Sequence, residues 1–475
     1  MTHQYRRLIG LLALLVLPGS AAIAQAGRFD LAKTKAVLTP IIEKTLAENG
    51  IPSMSIALVR GDSIVWTAAF GYSNMYTHAR ATTETLYSTG SSFKSVTATA
   101  VMQLVQQGKI RLDAPINLYL GDHPVQDRLQ SEKQVTVTDM LSHWSGLIAG
   151  AEVEPIWGRK LPETLNQMAS KLYTIRPPET KWEYNNYGYG LAGLIVQNAS
   201  GIDYETYMVD SVLRPLGVTT PHPVYPTPGM VERMALPYKA GGSLGKPVPE
   251  VQVHFDVYPA GDIYLRAEDM ARYLGAQING GDFNGHRMLS AASVHAMQIP
   301  RFGGTYGFGF WSTVDSTTGD TLIYHGGAIE GQRAFLIGDV NAHVGVYYMT
   351  NSDYLPDAVP PAQSDIVYAA LRLLRGQNYV PRPERKGITV GEKVLNSYVG
   401  TYDLGRGSIV ISRVGRSLGI QENGQPAINE LFAETPTRFF QRGSTATITF
   451  EGDGGNINRL VVEAGSQHVT AMRHK

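Results

Sequence analysis

The chain of 475 residues contains no cysteine, which excludes disulfides, thiol catalysis, cysteine-based zinc sites and lipid attachment to a cysteine. Charge of one sign is missing too. With 41 basic and 41 acidic residues the formal net charge is zero, so nothing electrostatic argues for nucleic acid or an anionic membrane surface. Charged residues make up 17% of the chain and hydrophobic ones 43%, the balance of a globular protein of two or three domains. The twelve histidines show no His-Glu-x-x-His or other ligand spacing, so neither a metal nor a cofactor is expected. There is no internal repeat and no low-complexity tract. Only one apolar run stands apart from the rest. Arg6 and Arg7 precede Leu8–Leu17, then come Pro18, Gly19 and small residues ending in Ala24-Gln25-Ala26. That pattern reads as a signal peptide, residues 1–26, cleaved after Ala26 and too short in its apolar part to persist as a membrane anchor. The expectation is an exported protein, periplasmic or secreted.

What the chain does have is organised around Leu86–Gln107. Ser91 follows Gly90, Lys94 comes three positions later, and an apolar run free of Gly and Pro continues to Gly108. The pattern predicts a buried helix with Ser91 in its first turn. Residues i and i+3 share a helix face, so the Lys94 amine is expected beside the Ser91 hydroxyl. A serine becomes a nucleophile when something takes its proton, and a desolvated lysine can do that or lower the pKa of another base. The N-terminal N–H groups of the helix suit a developing oxyanion.

Ser-x-x-Lys recurs at Ser243-Leu244-Gly245-Lys246, inside a Gly241-Gly242-Ser243-Leu244-Gly245 segment that also fits a nucleophile elbow. An elbow needs a helix after it, and Pro247 and Pro249 forbid one, so this copy reads as loop. Two further elements support the Ser91 copy. In Tyr184-Asn185-Asn186 the i, i+2 alternation of extended chain would turn Tyr184 and Asn186 to one side, facing Ser91 and Lys94. A cationic lysine nearby would lower the phenol's pKa and make Tyr184 a general base, with Asn186 holding Lys94 or a substrate carbonyl. In His325-Gly326-Gly327-Ala328, at a strand end, the glycines permit close substrate approach, and the Ala328 N–H can join that of Ser91 as oxyanion donor. Tyr72-Ser73-Asn74 repeats the Tyr-x-Asn pattern but reads as a turn. His343-Val344-Gly345 repeats His-x-Gly inside an alternating strand, as a structural feature. His143 and Glu183 read as structural and solvent-facing respectively. The aromatic group Trp144, Trp157, Trp182, Tyr187 and Tyr189 suits a cleft wall or a core equally.

Helical patterns at Phe29–Glu48, Thr138–Ser142, Tyr189–Asn198, Ala267–Gln277 and Ser364–Leu374 lie between early strands (Met54–Val59, Ile64–Phe70) and late ones (Leu322–Tyr324, Ala334–Gly338, Val344–Thr350). This predicts an α/β or α+β domain, residues 27–376, whose antiparallel sheet is built from both ends and flanked by helices. A linker is expected at 377–392, around Pro381–Lys386. Seven short alternating runs beyond it, from Tyr398–Tyr402 to Val469–Met472, predict a small all-β antiparallel barrel over 393–475.

Taken together, Ser91-x-x-Lys94, Tyr184-x-Asn186 and His325-x-Gly327, in that order, resemble the serine β-lactamase/penicillin-recognising superfamily. The branch is that of class C β-lactamases, D-aminopeptidases, DD-carboxypeptidases and family VIII esterases. Leu112-Asp113, Leu141–Leu147 and Pro259-Ala260-Gly261-Asp262 look like its connecting signatures, and the C-terminal segment resembles an appended lipocalin-like barrel. The resemblance implies a β-lactamase/transpeptidase-like fold. It also implies Ser91 as acylated nucleophile, Lys94 and Tyr184 as its activating pair, Asn186 as a polar clamp and His325 lining the pocket. His325-Gly326-Gly327 stands where true class C enzymes carry Lys-Thr-Gly, which points away from β-lactams and toward amides and small peptides. Short-chain ester hydrolysis, β-lactam hydrolysis by the same fold, and slow-turnover penicillin binding are the alternatives. The implied partner is a small-molecule or short-peptide substrate; the oligomeric state is left open.

Overall fold

The computed structural model describes residues 28–474 apart from 152, 156–163, 221–226, 355–363, 382–384, 406, 443–445, 454–455 and 465–466. The signal peptide expected over 1–26, Trp157 and part of the linker lie outside these residues.

Helix α1 (Leu31–Asn49) starts where the Asp30 side chain accepts the Lys33 N–H and stops at Gly50, whose φ of 60° turns the chain out. Strands β1 (Ser53–Arg60), β2 (Ser63–Asn74) and β3 (Ala79–Arg80) open the sheet. Strands β4 (Trp311–Val314), β5 (Thr321–Ile329), β6 (Gln332–Asp339) and β7 (Val344–Thr350) complete it in the order β4-β5-β6-β7-β1-β2-β3. β1 pairs antiparallel with both β2 and β7, so the two ends of the domain meet at its centre. Its burial on both faces explains its unbroken apolar run. Ala57 and Val59 face one core, and Met54, Ile56 and Leu58 face the other.

The first core lies under α2 (Lys94–Gln106), α4 (Asn186–Ser200) and α5 (Ala267–Ile278); the second is covered by α1 and α6 (Asp365–Leu374). Short helix α3 (Val137–Leu141), capped by a Thr136/Asp139 box, leads into His143. Two details depart from expectation. Tyr72-Ser73-Asn74 is not a turn but the bulged end of β2, with Tyr72 opposite Arg80. His343 sits just before β7 with φ 53°, its Nδ1 on the Ile278 carbonyl, rather than within the strand.

After α7 (Glu392–Tyr398), eight strands close an antiparallel barrel: β8 (Gly400–Asp403), β9 (Ser408–Val414), β10 (Ser417–Glu422), β11 (Ile428–Ala433), β12 (Arg438–Phe440), β13 (Thr447–Asp453), β14 (Asn456–Ala464) and β15 (Gln467–Arg473). Tyr402, Leu418, Phe439, Phe450 and Leu460 fill its core. The sequence pattern yields seven strands because it passes over β11, and its first run starts early, at Tyr398, which belongs to α7. Among the described residues no helix is long and apolar enough to cross a membrane.

Candidate active site

Residues 87–91 thread a narrow slot. Tyr87-Ser88 pairs with Tyr264-Leu265, the Ser88 N–H donates to Gln332 Oε1, and the Thr89 N–H donates to the Ile263 carbonyl. Gly90 has φ 49°, and a methyl group on it would lie 2.4 Å from Ala328 N. One on Gly327 would lie 2.0 Å from the Thr89 carbonyl oxygen. Only glycine permits this approach, and it brings the backbone of Ala328 against the turn that carries Ser91.

That turn, Gly90–Phe93, is a 3-10 turn running straight into α2. Side chains three apart eclipse in such a turn. Lys94 Nζ accordingly lies 2.9 Å from Ser91 Oγ and donates to the Ala260 carbonyl, also at 2.9 Å. Ser91 is half-buried, whereas Lys94 is 0% exposed and forms no ion pair among the described residues. The rings of Tyr184 and Tyr189 lie 4.9 Å and 5.6 Å from its Nζ. Burial holds its amine well below the usual lysine range.

The Tyr184 hydroxyl hydrogen-bonds with Ser91, so Ser91, Lys94 and Tyr184 meet in one place. The phenol itself runs against expectation. Burial pushes it up, and the bond to Ser91 offsets only part of that. A lysine whose own charge is suppressed by burial offers no cation to stabilise a phenolate, so Tyr184 stays a neutral hydroxyl.

Helix α4 and His143 set the position of Tyr184. Asn185 is the N-cap: its Oδ1 accepts the Gly188 N–H and its Nδ2 donates to the Leu147 and Ile148 carbonyls. The Asn185 N–H donates to Nδ1 of His143, whose own carbonyl accepts the Glu183 N–H. The His143 ring, 1% exposed, packs on that of Tyr184 with centroids 4.4 Å apart. Asn186 is therefore the first helical residue, not the second member of an extended pair, and its Oδ1 has no hydrogen-bond partner. Glu183 pairs with Arg176.

Strand alternation divides the His325–Ala328 segment. Gly326 and Ala328 are exposed, while His325 and Gly327 are buried. His325 Nδ1 lies 2.6 Å from the Gly326 carbonyl, which only accepts, so the proton sits there and Nε2 accepts from the Tyr306 hydroxyl at 3.0 Å. Burial brings the imidazole down to about 3, so it is neutral at ordinary pH. Trp182, Tyr306 and Trp311 pack together beside it, with Trp182 and Trp311 rings 5.3 Å apart and Tyr306 and Trp311 5.0 Å apart. Tyr306, a lone tyrosine in a loop, carries no recognisable sequence signal; Ala260 lies in the Pro259–Asp262 signature, but what it offers Lys94 is a backbone carbonyl, which residue type does not reveal.

The β-lactamase family model matches residues 38–370. PbpX of Bacillus subtilis strain 168 is 30% identical over 271 residues, 57% of this chain and 64% of that protein. Protein flp of Staphylococcus aureus strain N315 is 25% identical over 344 residues, 69% of this chain and 65% of that protein. The chain thus spans just under two thirds of the length of these relatives. The octameric penicillin-binding protein homologue from Pyrococcus abyssi aligns over 93% of this chain and 100% of its own, with a TM-score of 0.57 at 23% identity. D-amino acid amidase from Ochrobactrum anthropi SV3 aligns over 73% and 98%, with a TM-score of 0.56 at 22% identity. At such identities the structural likeness is one of fold. The family match covers most of the chain, and the protein belongs to the β-lactamase family of serine hydrolases.

Proposed function

We propose that this protein is an exported hydrolase that cleaves amide bonds of small peptides or amino-acid amides through an acyl-enzyme on Ser91. The observation that carries this reading is the buried Lys94 amine, 2.9 Å from Ser91 Oγ and without an ion-pair partner among the described residues. A lysine held neutral is a base, and the proton of Ser91 is within its reach. Ser91 Oγ bonds to the substrate carbonyl carbon while its proton passes to Lys94. The N–H groups of Ser91 and Ala328 hold the oxyanion. The C–N bond then breaks, and the proton returns from Lys94 through the Tyr184 hydroxyl to the departing amine. Water, deprotonated by the same groups, releases the acid and restores Ser91. Tyr184 acts here as a neutral relay, in keeping with its raised pKa.

A neutral His325 supplies no fixed cation for a β-lactam carboxylate, which supports amides over antibiotics as substrates. D-amino acid amidase shares the fold, and amides with D-residues head the list to be tried. The targeting pattern of residues 1–26 supports export. The test incubates residues 27–475, as wild type and as Ser91→Ala, with a fluorescent penicillin, D- and L-amino-acid p-nitroanilides, p-nitrophenyl esters and nitrocefin. Turnover and label that vanish in the variant establish the nucleophile, and equal hydrolysis by both proteins sinks the mechanism.

A further inference from the structure

Two costs fall together on His143. Helix α3 ends in a doubly bonded turn, where the His143 N–H donates to the Met140 carbonyl and the Trp144 N–H to that of Asp139. The residue at this point of such a helix end takes a left-handed backbone, and glycine or asparagine ordinarily fills it. Here it is a histidine with φ 67°. Its imidazole is 1% exposed, and its Nδ1 accepts the Asn185 N–H at 3.1 Å, so the proton of the neutral ring sits on Nε2. Nε2 has no hydrogen-bond partner among the described residues. Left-handed backbone at a residue with a Cβ and a buried donor without an acceptor both cost stability. A residue present only to end a helix would carry neither.

What this histidine does hold is Tyr184. Its carbonyl accepts the Glu183 N–H at 2.9 Å and its Nδ1 accepts the Asn185 N–H, so one residue grips the chain on both sides of Tyr184. Between these two bonds the imidazole packs on the phenol, with centroids 4.4 Å apart. The rings of Tyr306 and Tyr189 stand 4.7 Å and 5.4 Å from it, and Trp182 lies nearly perpendicular at 5.9 Å. Burial keeps the ring uncharged, and an uncharged ring keeps Nδ1 an acceptor. We propose that His143 is the positioning residue of the proton relay. It fixes the Tyr184 hydroxyl between Ser91 and the departing amine, and it acts through Tyr184 alone. This rests on the relay role given to Tyr184 above. Its consequence is selective. An amide needs a proton on the leaving nitrogen as the C–N bond breaks, whereas a p-nitrophenyl ester releases a stabilised anion that needs none. Loosening Tyr184 therefore harms amides more than activated esters, which general damage to the fold would not do.

The test measures kcat/KM for D-alanine p-nitroanilide and D-alanine p-nitrophenyl ester in wild type, His143→Gly, His143→Asn, Tyr184→Phe and the double variant of Tyr184→Phe with His143→Gly. The anilide-to-ester ratio does not depend on how much of a preparation is folded. Glycine suits the left-handed turn but leaves Asn185 and the phenol without the imidazole, and the ratio is expected to fall by about 30-fold or more. Asparagine tolerates the same backbone and offers an oxygen near the place of Nδ1, which should bring the ratio back to within about fivefold of wild type. In the Tyr184→Phe background, His143→Gly should lower the ratio by less than about twofold further. His143→Phe keeps a ring and lacks the acceptor, and it should show the same loss where the glycine variant yields no folded protein. A ratio unchanged in His143→Gly, no recovery in His143→Asn, or a loss in the Tyr184→Phe background as large as in wild type overturns this assignment and leaves the relay standing. A ratio unchanged in Tyr184→Phe, or an anilide that wild type leaves intact, removes the relay itself and this assignment with it.

Discussion

Two segments of this chain spell Ser-x-x-Lys, and they share nothing else. At Ser91 the motif lies in a helical turn, its lysine fully buried and 2.9 Å from the serine. At Ser243 it lies in an open loop, with Ser243 and Lys246 both exposed. There the serine serves the barrel. Its Oγ accepts the Glu430 N–H, the Leu244 N–H donates to the Ile428 carbonyl, and the Ile428 N–H donates to the Gly241 carbonyl. β11 pairs with β12 only through Phe432 and Ala433, so the loop supplies partners to the part of β11 that β12 leaves open. The comparison teaches that the motif is only a spacing. In the proposed mechanism burial of the amine is what makes one copy a base, while the prolines after the other copy leave its amine in water.

The largest effect expected from breaking the comparison is on the serines. Ser91→Ala should lower kcat by about a thousandfold or more against whichever substrate the panel selects. Ser243→Ala should leave kcat within about twofold and cost about 1 kcal/mol of stability from the lost bond to Glu430. Steady-state kinetics and urea unfolding on both variants read this directly. The idea fails if the two losses in kcat are alike.

Next come the lysines. Lys94→Met keeps the volume and removes the base, so kcat should fall on the order of a hundredfold or more, while the melting temperature holds or rises because no amine is left buried. Lys246→Met should change neither. In wild type, kcat/KM rises with pH as Lys94 loses its proton, with a midpoint well below the usual lysine value, and the raised phenol of Tyr184 adds no fall on the alkaline side below pH 10. Lys94→Met should abolish that acid limb. A limb that survives the substitution would assign it to another group.

How much of this was legible in the sequence follows from what each signal depends on. The Ser91 turn, α2 and the order of the three motifs depend on local spacing and read correctly. So does the sheet built from both ends, because its central strands β1 and β7 are buried on both faces. Strand β11 was missed because Pro426 precedes it and part of its pairing comes from residues 241–244, far away in the chain. The direction of the Tyr184 shift was misread because it depends first on burial of the phenol itself, a three-dimensional property. The lysine's second partner, the Ala260 carbonyl, is backbone and leaves no trace in residue type.

The glycines of the two segments sharpen the contrast further. Gly90→Ala would set a Cβ 2.4 Å from Ala328 N and part the two oxyanion donors, so kcat should drop about a hundredfold. Gly242→Ala, with φ 69° and a Cβ 2.6 Å from Asn429 Oδ1, should instead cost about 1–3 kcal/mol of stability by loosening the loop from the barrel. Kinetics of the first and urea unfolding of the second test the pair. Catalytic collapse in Gly242→Ala would mean that the barrel contact controls the site.

The last contrast concerns acid. The Ser91 site is surrounded by buried titratable rings, whereas the 241–246 loop carries a single exposed lysine, so only the former should make stability depend on pH in the acid range. His325 is neutral in the folded chain down to about pH 3, against 6.5 for an ordinary histidine. Above 6.5 neither state is protonated and the group has no effect. As pH falls through 6.5 the unfolded chain takes up a proton that the folded one refuses, so stability is lost until about pH 3, where both states bind it. One such group contributes a slope of at most about 1.4 kcal/mol per pH unit. His325→Gln should therefore flatten the dependence of unfolding free energy on pH between 4 and 6. Part of the slope should remain, because burial holds His143 down in the same way. A slope identical to wild type would show that His325 is protonated in the folded protein, and that the site does hold a cation where the amide reading needs none.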